Sequence, residues 1–311
     1  MAVSTDQTQK SPARWLVVIV PYLWLALFFI APFLIILKIS LSDTAIAMPP
    51  YTPVFSGFAE IGTYLSQLDF ENYIFLTEDP LYFDAYLNSL RIAAISTFLL
   101  LLIGYPVALA MARAPAGLRP TLLMLVILPF WTSFLIRVYA WIGILKPEGL
   151  LTLLLQSIGL YGPDDQVNIF RTDSAVFIGM VYSYLPFMIL PLYAALEKMD
   201  GTLLEAASDL GCPPWKAFWK ITFPLMLPVS ITAVILRVIF KLKLADIVIN
   251  MTAGGPGGAT DTVTSFIFRE YRERSNVGYG TMLAFVYLVL IILFVTGLLK
   301  LASRWNTSGH D

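Results

Sequence analysis

Few side chains in this sequence could do covalent chemistry, and their positions narrow the field further. The chain has one cysteine, Cys212, and one histidine, His310. A single thiol has no partner for an intrachain disulfide. A lone histidine beside the C-terminus cannot complete a Cys/His metal cluster or an embedded Ser-His pair. No lysine follows a glycine, so there is no Walker A phosphate loop, and the glycine-rich run that begins at Gly254 reads as a turn. Neither catalysis nor a metal or other cofactor bound by this chain is expected. What remains is electrostatic: Arg137, Arg237, Lys241, Lys243 and Asp246 interrupt apolar stretches, where charge is costly and normally faces a cavity or a partner.

The elements that must position these charges follow from composition. Of 311 residues, 58% are hydrophobic and 13% charged, and mean hydropathy is +0.76. A globular domain carries roughly a quarter charged residues, so the bilayer is the solvent here. A net charge of -1 gives no reason to expect a nucleic-acid partner. Residues 15–37, 92–112, 174–196 and 277–299 contain no Asp, Glu, Lys or Arg, and each is long enough to cross ~30 Å of hydrocarbon. Two further spans carry charge: 120–145, broken by Arg137, and 221–248, with Arg237, Lys241, Lys243 and Asp246 in its second half. The expected fold is an all-α membrane protein of six spans. Residues 1–14 and 305–311 form polar tails around one membrane domain over 15–304, whose inner loop occupies 197–221. The first span is too long, and too closely followed by others, for a cleaved signal sequence.

Orientation follows from lysine and arginine. None occurs between Lys38 and Arg91, a segment holding Asp43, Glu60, Asp69, Glu71, Glu78, Asp79 and Asp84. By the positive-inside rule this segment faces outward and both termini lie in the cytoplasm. The apolar stretch 150–160 is too short to span and reads as a helix at the outer interface.

Arg137 has two readings: a side chain reaching outward to the headgroups, or a contact in a translocation pathway with Trp131 and Tyr139 as aromatic lining. Tyr182 and Tyr184 in the fourth span are further lining candidates, whereas Trp141 reads as part of an interfacial aromatic belt. Arg237 and Lys241 are four apart and share a helical face, while Lys243 and Asp246 are three apart and able to pair. A cationic face suits hydroxyl-rich or anionic cargo and disfavours amines. Pro106, Pro129, Pro186 and Pro191 fall within spans and allow bends.

The inner loop after the fourth span is the most informative segment. Thr202, with Glu205 three residues on, has the spacing of a capping box. Gly211 supplies a left-handed terminator, Pro213 and Pro214 stop the helix, and a second helix from Trp215 feeds the fifth span. The result is a bent element shaped for a groove on a partner. Glu205, Ala206 and Ala207, then Gly211, Ile221 and Pro224 at their spacing resemble the Glu-Ala-Ala loop of the permease subunits of bacterial ATP-binding-cassette importers, with Phe223 where that family usually has Leu. The resemblance implies that these residues dock into an ATPase dimer that binds ATP and Mg. It also implies a second permease subunit, a periplasmic solute-binding protein, an inner-membrane location and alternating access.

Up to about residue 228 the chain further resembles spermidine and putrescine permeases, in segments such as Asn88-Ser-Leu, Gly104-Tyr-Pro-Val-Ala-Leu-Ala and Ser183-Tyr-Leu-Pro-Phe. Beyond it, Ala245-Asp-Ile-Val, Thr252-Ala-Gly-Gly-Pro-Gly and Ala259-Thr-Asp-Thr resemble sugar and polyol permeases. The implied cargo is a polyamine, with a carbohydrate as the alternative. An ion-coupled carrier would be expected to place carboxylates at mid-membrane, and Asp246 is the one acidic residue inside an expected span.

Overall fold

The computed structural model describes residues 13–55, 57, 61–78, 80–162 and 164–307, with side chains described from 18 to 301 within these. Most of the two expected tails, with Lys10 and His310, lies outside the described residues, as do Glu60 and Asp79. Apart from a short antiparallel pairing of Asp43–Thr44 with Tyr51–Thr52, the regular structure among the described residues is helical. That is the expected class: in hydrocarbon a helix satisfies its own backbone, which an open strand cannot. Six helical stretches are long and apolar enough to cross a membrane: Val18–Ser40, Pro80–Arg113, Phe134–Ser157, Asp173–Glu197, Pro214–Leu242 and Val277–Leu301.

The described residues group into two compact units. The first comprises those of Met1–Glu78 with Glu270–Val286. Here α1 (Ala13–Leu25) passes through a π-turn into α2 (Ala31–Ser40), followed by α3 (Ile61–Ser66) and α4 (Glu71–Glu78). The Asn72 amide donates to the carbonyls of Ser40 at 3.3 Å and Ser42 at 3.1 Å, and the Thr44 hydroxyl donates to Asn276 Oδ1 at 2.7 Å. A Cβ at residue 278 would stand 2.1 Å from the Ser42 carbonyl oxygen, so this approach admits only glycine.

The second unit comprises the described residues of Asp79–Arg269 with Tyr287–Asp311. Its helices are α5 (Pro80–Arg113), α6 (Arg119–Ile127), α7 (Phe134–Leu145), α8 (Leu150–Ser157), α9 (Asp173–Glu197), α10 (Thr202–Asp209), α11 (Pro214–Ala217), α12 (Phe223–Leu242), α13 (Val263–Phe268) and the later part of α14 (Val277–Thr307). The most extensive packing joins α5 to α9. Leu100 and Ala108 are buried in one cluster with Met188, Ile189 and Leu192, to which α12 contributes Met226 and Ala233. Gly104 sets the spacing, because a Cβ there would meet Met188 Cγ at 3.0 Å. Small residues at a helix contact are the usual way for membrane helices to approach closely. A second cluster packs Val138 and Leu145 of α7 and Val176 and Met180 of α9 around Ile247, Val248 and Met251.

One end of this unit is held by polar contacts. The Asn88 amide donates to the carbonyls of Ala259 at 3.0 Å and Asp261 at 2.8 Å, and Val263 N–H donates to the Ser89 hydroxyl at 2.8 Å. Asp261 pairs with Arg269. The Gly254 run is a turn, as expected, with Ala253 and Gly254, Gly255, Gly257 and Gly258 all at positive φ.

Two expected spans differ from the structure. The stretch 120–145 is not one helix: a 3-10 turn at Leu128–Trp131 follows α6, and Thr132 and Ser133 are extended, with ψ of 149° and 141°. Pro129 brings no N–H, and its carbonyl is taken by the Thr132 hydroxyl at 2.8 Å instead of the next turn of helix. Lys146 and Glu148 separate α7 from α8, so a crossing built from α6 and α7 carries Arg137 alone between its ends, whereas one continuing through α8 would carry Lys146 and Glu148 inside as well. The fifth span ends at Leu242, not 248, and the chain winds again from Asp246 into a π-turn at Val248–Thr252. Lys243 and Asp246 therefore do not share a helix, and no ion pair joins them among the described residues.

The tight α5–α9 contact predicts an asymmetry between two helical glycines. Gly104→Leu should destabilise the protein by about 1–3 kcal/mol through overpacking, while Gly143→Leu, with nothing within 4 Å of its Cβ position, should not. Thermal unfolding of the two variants in one detergent checks this, and equal midpoints would contradict it.

Candidate functional site: a bent loop and a buried cationic cluster

Two places in the second unit collect the residues the sequence singles out. In the loop between α9 and α12, the first turn of α10 is capped differently from expectation. Thr202 is the first helical residue rather than the cap. Asp200 takes that role, accepting from Thr202 N–H at 3.0 Å, and this bond together with the Thr202 hydroxyl holds its carboxyl below the usual range. The capping-box geometry occurs instead at Thr262 and Ser265, at the start of α13.

The far end of α10 is built as expected. Gly211 has φ of +72°, its N–H donates to the Ser208 carbonyl at 2.8 Å, and Cys212 N–H donates to the Ala207 carbonyl at 2.9 Å. These paired bonds are a Schellman termination, which the left-handed glycine permits. Pro213 is extended, and α11 begins when Ala217 N–H reaches the Pro213 carbonyl at 3.0 Å. A π-turn at Phe218–Thr222 then runs into α12, so the second arm of the bend is continuous with a membrane helix. Glu205 and Ala206 are exposed, Ala207 is buried, Ile221 is half-buried, and Pro224 is exposed in the first turn of α12. Leu210 is 87% exposed, an apolar tip with no cover among the described residues. Phe218 meets Tyr105 of α5 edge-on at 5.5 Å and stacks on Trp215, tying the bend to the bundle. Asp200 and Phe218 carry no local signal that marks them in advance, whereas Tyr105 lies in the Gly104-Tyr-Pro segment noted above.

The second place joins three cationic side chains. The Arg137 guanidinium lies 4.8 Å from the centre of the Phe130 ring, and Phe130 packs edge-on against Phe187 at 4.8 Å. Phe187 in turn carries the Arg237 guanidinium at 5.0 Å, and the Lys241 amine sits 5.1 Å from the Tyr184 ring. All three basic residues are at least nine-tenths buried. Arg137 Nε and Nη1, Arg237 Nε and Lys241 Nζ have no hydrogen-bond partner among the described residues, and none of the ion pairs there includes these residues. Tyr184 and Phe187 are the twelfth and fifteenth of 25 residues in α9. Arg237 and Lys241 therefore lie against the middle turns of α9.

Of the other expected lining residues, Trp131 and Tyr139 are 71% and 61% exposed and stay outside this cluster. Tyr182 packs edge-on against Trp141 at 5.4 Å. Asp246 is exposed, within electrostatic range of Tyr184 but paired with none of the three cations. Phe187 closes the Ser183-Tyr-Leu-Pro-Phe segment noted above, but nothing in that segment marks it as the face of a cation, since aromatic residues are common throughout these spans.

Residues 104–306 match the family described as the inner membrane component of binding-protein-dependent transport systems. The spermidine/putrescine transport system permease protein PotB of Haemophilus influenzae is 35% identical over 299 residues, which cover 95% of this chain and 94% of that protein. The sulfoquinovosyl glycerol transport system permease protein SmoG of Agrobacterium fabrum is 29% identical over 273 residues, covering 86% of each chain. Among solved structures, a bacterial ABC transporter involved in import of the acidic polysaccharide alginate aligns with a TM-score of 0.71 at 18% identity, covering 94% of this chain and 95% of that one. Six apolar helices, the fold of importer permeases, a family match over most of the chain and a full-length relative converge: the chain belongs to the multi-pass inner-membrane permease subunits of ATP-binding-cassette importers, and is a transport component, not an enzyme.

Proposed function

We propose that this chain forms, with a second copy or a related permease, the path by which a solute delivered by a periplasmic binding protein enters the cytoplasm. The observation that carries this reading is the bent loop itself, an exposed Glu205-Ala206 face ended by Gly211 and continuous with α12. A rigid arm joined to a spanning helix transmits a push without dissipating it in a flexible linker. Glu205, Ala206, Ala207, Gly211, Ile221 and Pro224 form the contact with an ATPase dimer, which binds ATP and Mg on its own residues. Approach of the two ATPase subunits drives the loops together and opens the cavity outward, and hydrolysis returns it inward. Both termini lie in the cytoplasm, as the distribution of lysine and arginine requires.

Two cargo readings compete. Identity of 35% across 95% of the chain to a spermidine/putrescine permease supports a polyamine. The cluster of Arg137, Arg237 and Lys241 favours cargo without positive charge, because a dication brought near two guanidinium groups is repelled. SmoG, named for a sulfonated glycoside, lies in the same family at lower identity. Uptake of labelled putrescine and spermidine against sugars and polyols, in vesicles holding the whole transporter, decides between them.

The loop reading makes two further predictions. Gly211→Val forces a β-branched residue to positive φ, which should cut ATP-driven uptake severalfold while the ATPase continues to turn over; unchanged uptake would count against it. Cys212, the single cysteine of the chain and half-buried at the bend, should react with a membrane-impermeant maleimide in inside-out vesicles and not in right-side-out ones. Labelling of the opposite kind overturns the orientation.

A further inference from the structure

We propose that Arg137, Arg237 and Lys241 form an anion-binding site, and that its ligand is a small aliphatic molecule bearing a carboxylate. The inference rests on the second cargo reading above and names its chemistry. Two guanidinium groups, which stay charged, and an amine are buried together with hydrogen-bonding nitrogens unused. Leaving buried donors unpaired costs stability, more so for charged groups. The rings of Phe130, Phe187 and Tyr184 offset part of that cost by cation-π attraction but accept no conventional hydrogen bond. An arrangement with unused donors and, among the described residues, no carboxylate paired to it is what an anion would complete. A carboxylate that reaches these arginine and lysine heads would make the short charge-assisted bonds that are roughly twice as strong as neutral ones.

The body of the ligand follows from the neighbouring cavity. Arg237 stands at the edge of a space of about 300 Å³ between α9 and α12, walled by Phe187, Pro191, Pro228, Ala233 and Leu236. Thr232 is the one hydroxyl on this wall, and it is already bonded to the Pro228 carbonyl at 2.9 Å. A lining this apolar suits methylene groups rather than a ring of hydroxyls. The volume lies at the lower end of small-molecule sites. Head and body together specify an aliphatic acid over a sugar and over an amine.

Four probes share a four-carbon backbone and differ in charge: succinate, 4-aminobutyrate, butane-1,4-diol and putrescine. Binding to the purified full chain in nanodiscs, followed by thermal unfolding and calorimetry, should be saturable for the two carboxylates and absent for the diol and the diamine. Lys241→Met and Arg237→Leu should each raise the unfolding midpoint of the free protein, because an unpartnered buried head is removed, and weaken succinate binding by about 10- to 100-fold. Lys241→Arg should keep binding. A merely structural role predicts the reverse, a lower midpoint with no effect on succinate. The inference is overturned if neither carboxylate binds wild-type protein saturably, if putrescine binds more tightly than succinate, or if Lys241→Met binds succinate as well as wild type. The assay contains no ATPase, so ATP-driven putrescine uptake without carboxylate binding sinks only this inference. Carboxylate binding without ATP-driven transport by the assembled complex sinks the importer mechanism instead.

Discussion

The close contact of α5 with α9 is the constraint on which the rest of the second unit depends. Between membrane helices there is little hydrophobic driving force, since lipid tails are as apolar as leucine, and packing must supply the attraction. Gly104 opposite Met188 lets the two backbones approach, and the buried faces above and below it then interlock. Once α9 is held there, its middle turns present Tyr184 and Phe187 toward α12, and its C-terminal end leads into the loop at Asp200. The pathway candidates and the bent loop are thus positioned by the same helix.

Against that scaffold the cationic cluster is an expensive feature. A charged head in the interior of a bundle normally finds a counter-charge or a water-filled cavity. Here aromatic faces stand in for counter-charges, and four separate segments contribute: the 3-10 turn with Phe130, α7 with Arg137, α9 with Tyr184 and Phe187, and α12 with Arg237 and Lys241. A fold selected only for stability would replace such heads with leucine or methionine. The break at Thr132 and Ser133 contributes, because it separates Phe130 and Arg137 from one continuous helix and lets the ring and the guanidinium face each other.

The clasp between the start of α5 and the start of α13 joins the two halves of the mixed resemblance along the chain. Asn88 and Ser89 lie in a segment similar to polyamine permeases, and Ala259 to Thr262 in one similar to sugar permeases. In the structure they hold each other, through the Asn88 amide on two carbonyls and the Ser89 hydroxyl under Val263 N–H. These motifs form a structural joint.

Much of the architecture was legible in the sequence because its causes are local. Runs without charge mark the spans, since hydrocarbon tolerates little else at that length. Gly211 followed by Pro213 and Pro214 marks the bend, since backbone conformation there depends on neighbours in the chain. Boundaries set by competition between polar groups were less visible: Asp200 displaced Thr202 as the cap, and the Thr132 hydroxyl took a carbonyl that a longer helix would have used. Which polar residues meet was decided only by tertiary structure. Trp131, Arg137 and Tyr139 look equivalent on paper, yet Arg137 turns inward to Phe130 while the two aromatics stay exposed. Periodicity gives one helix its faces, but the direction each face points is fixed by the helices packed beside it, and those come from distant parts of the chain.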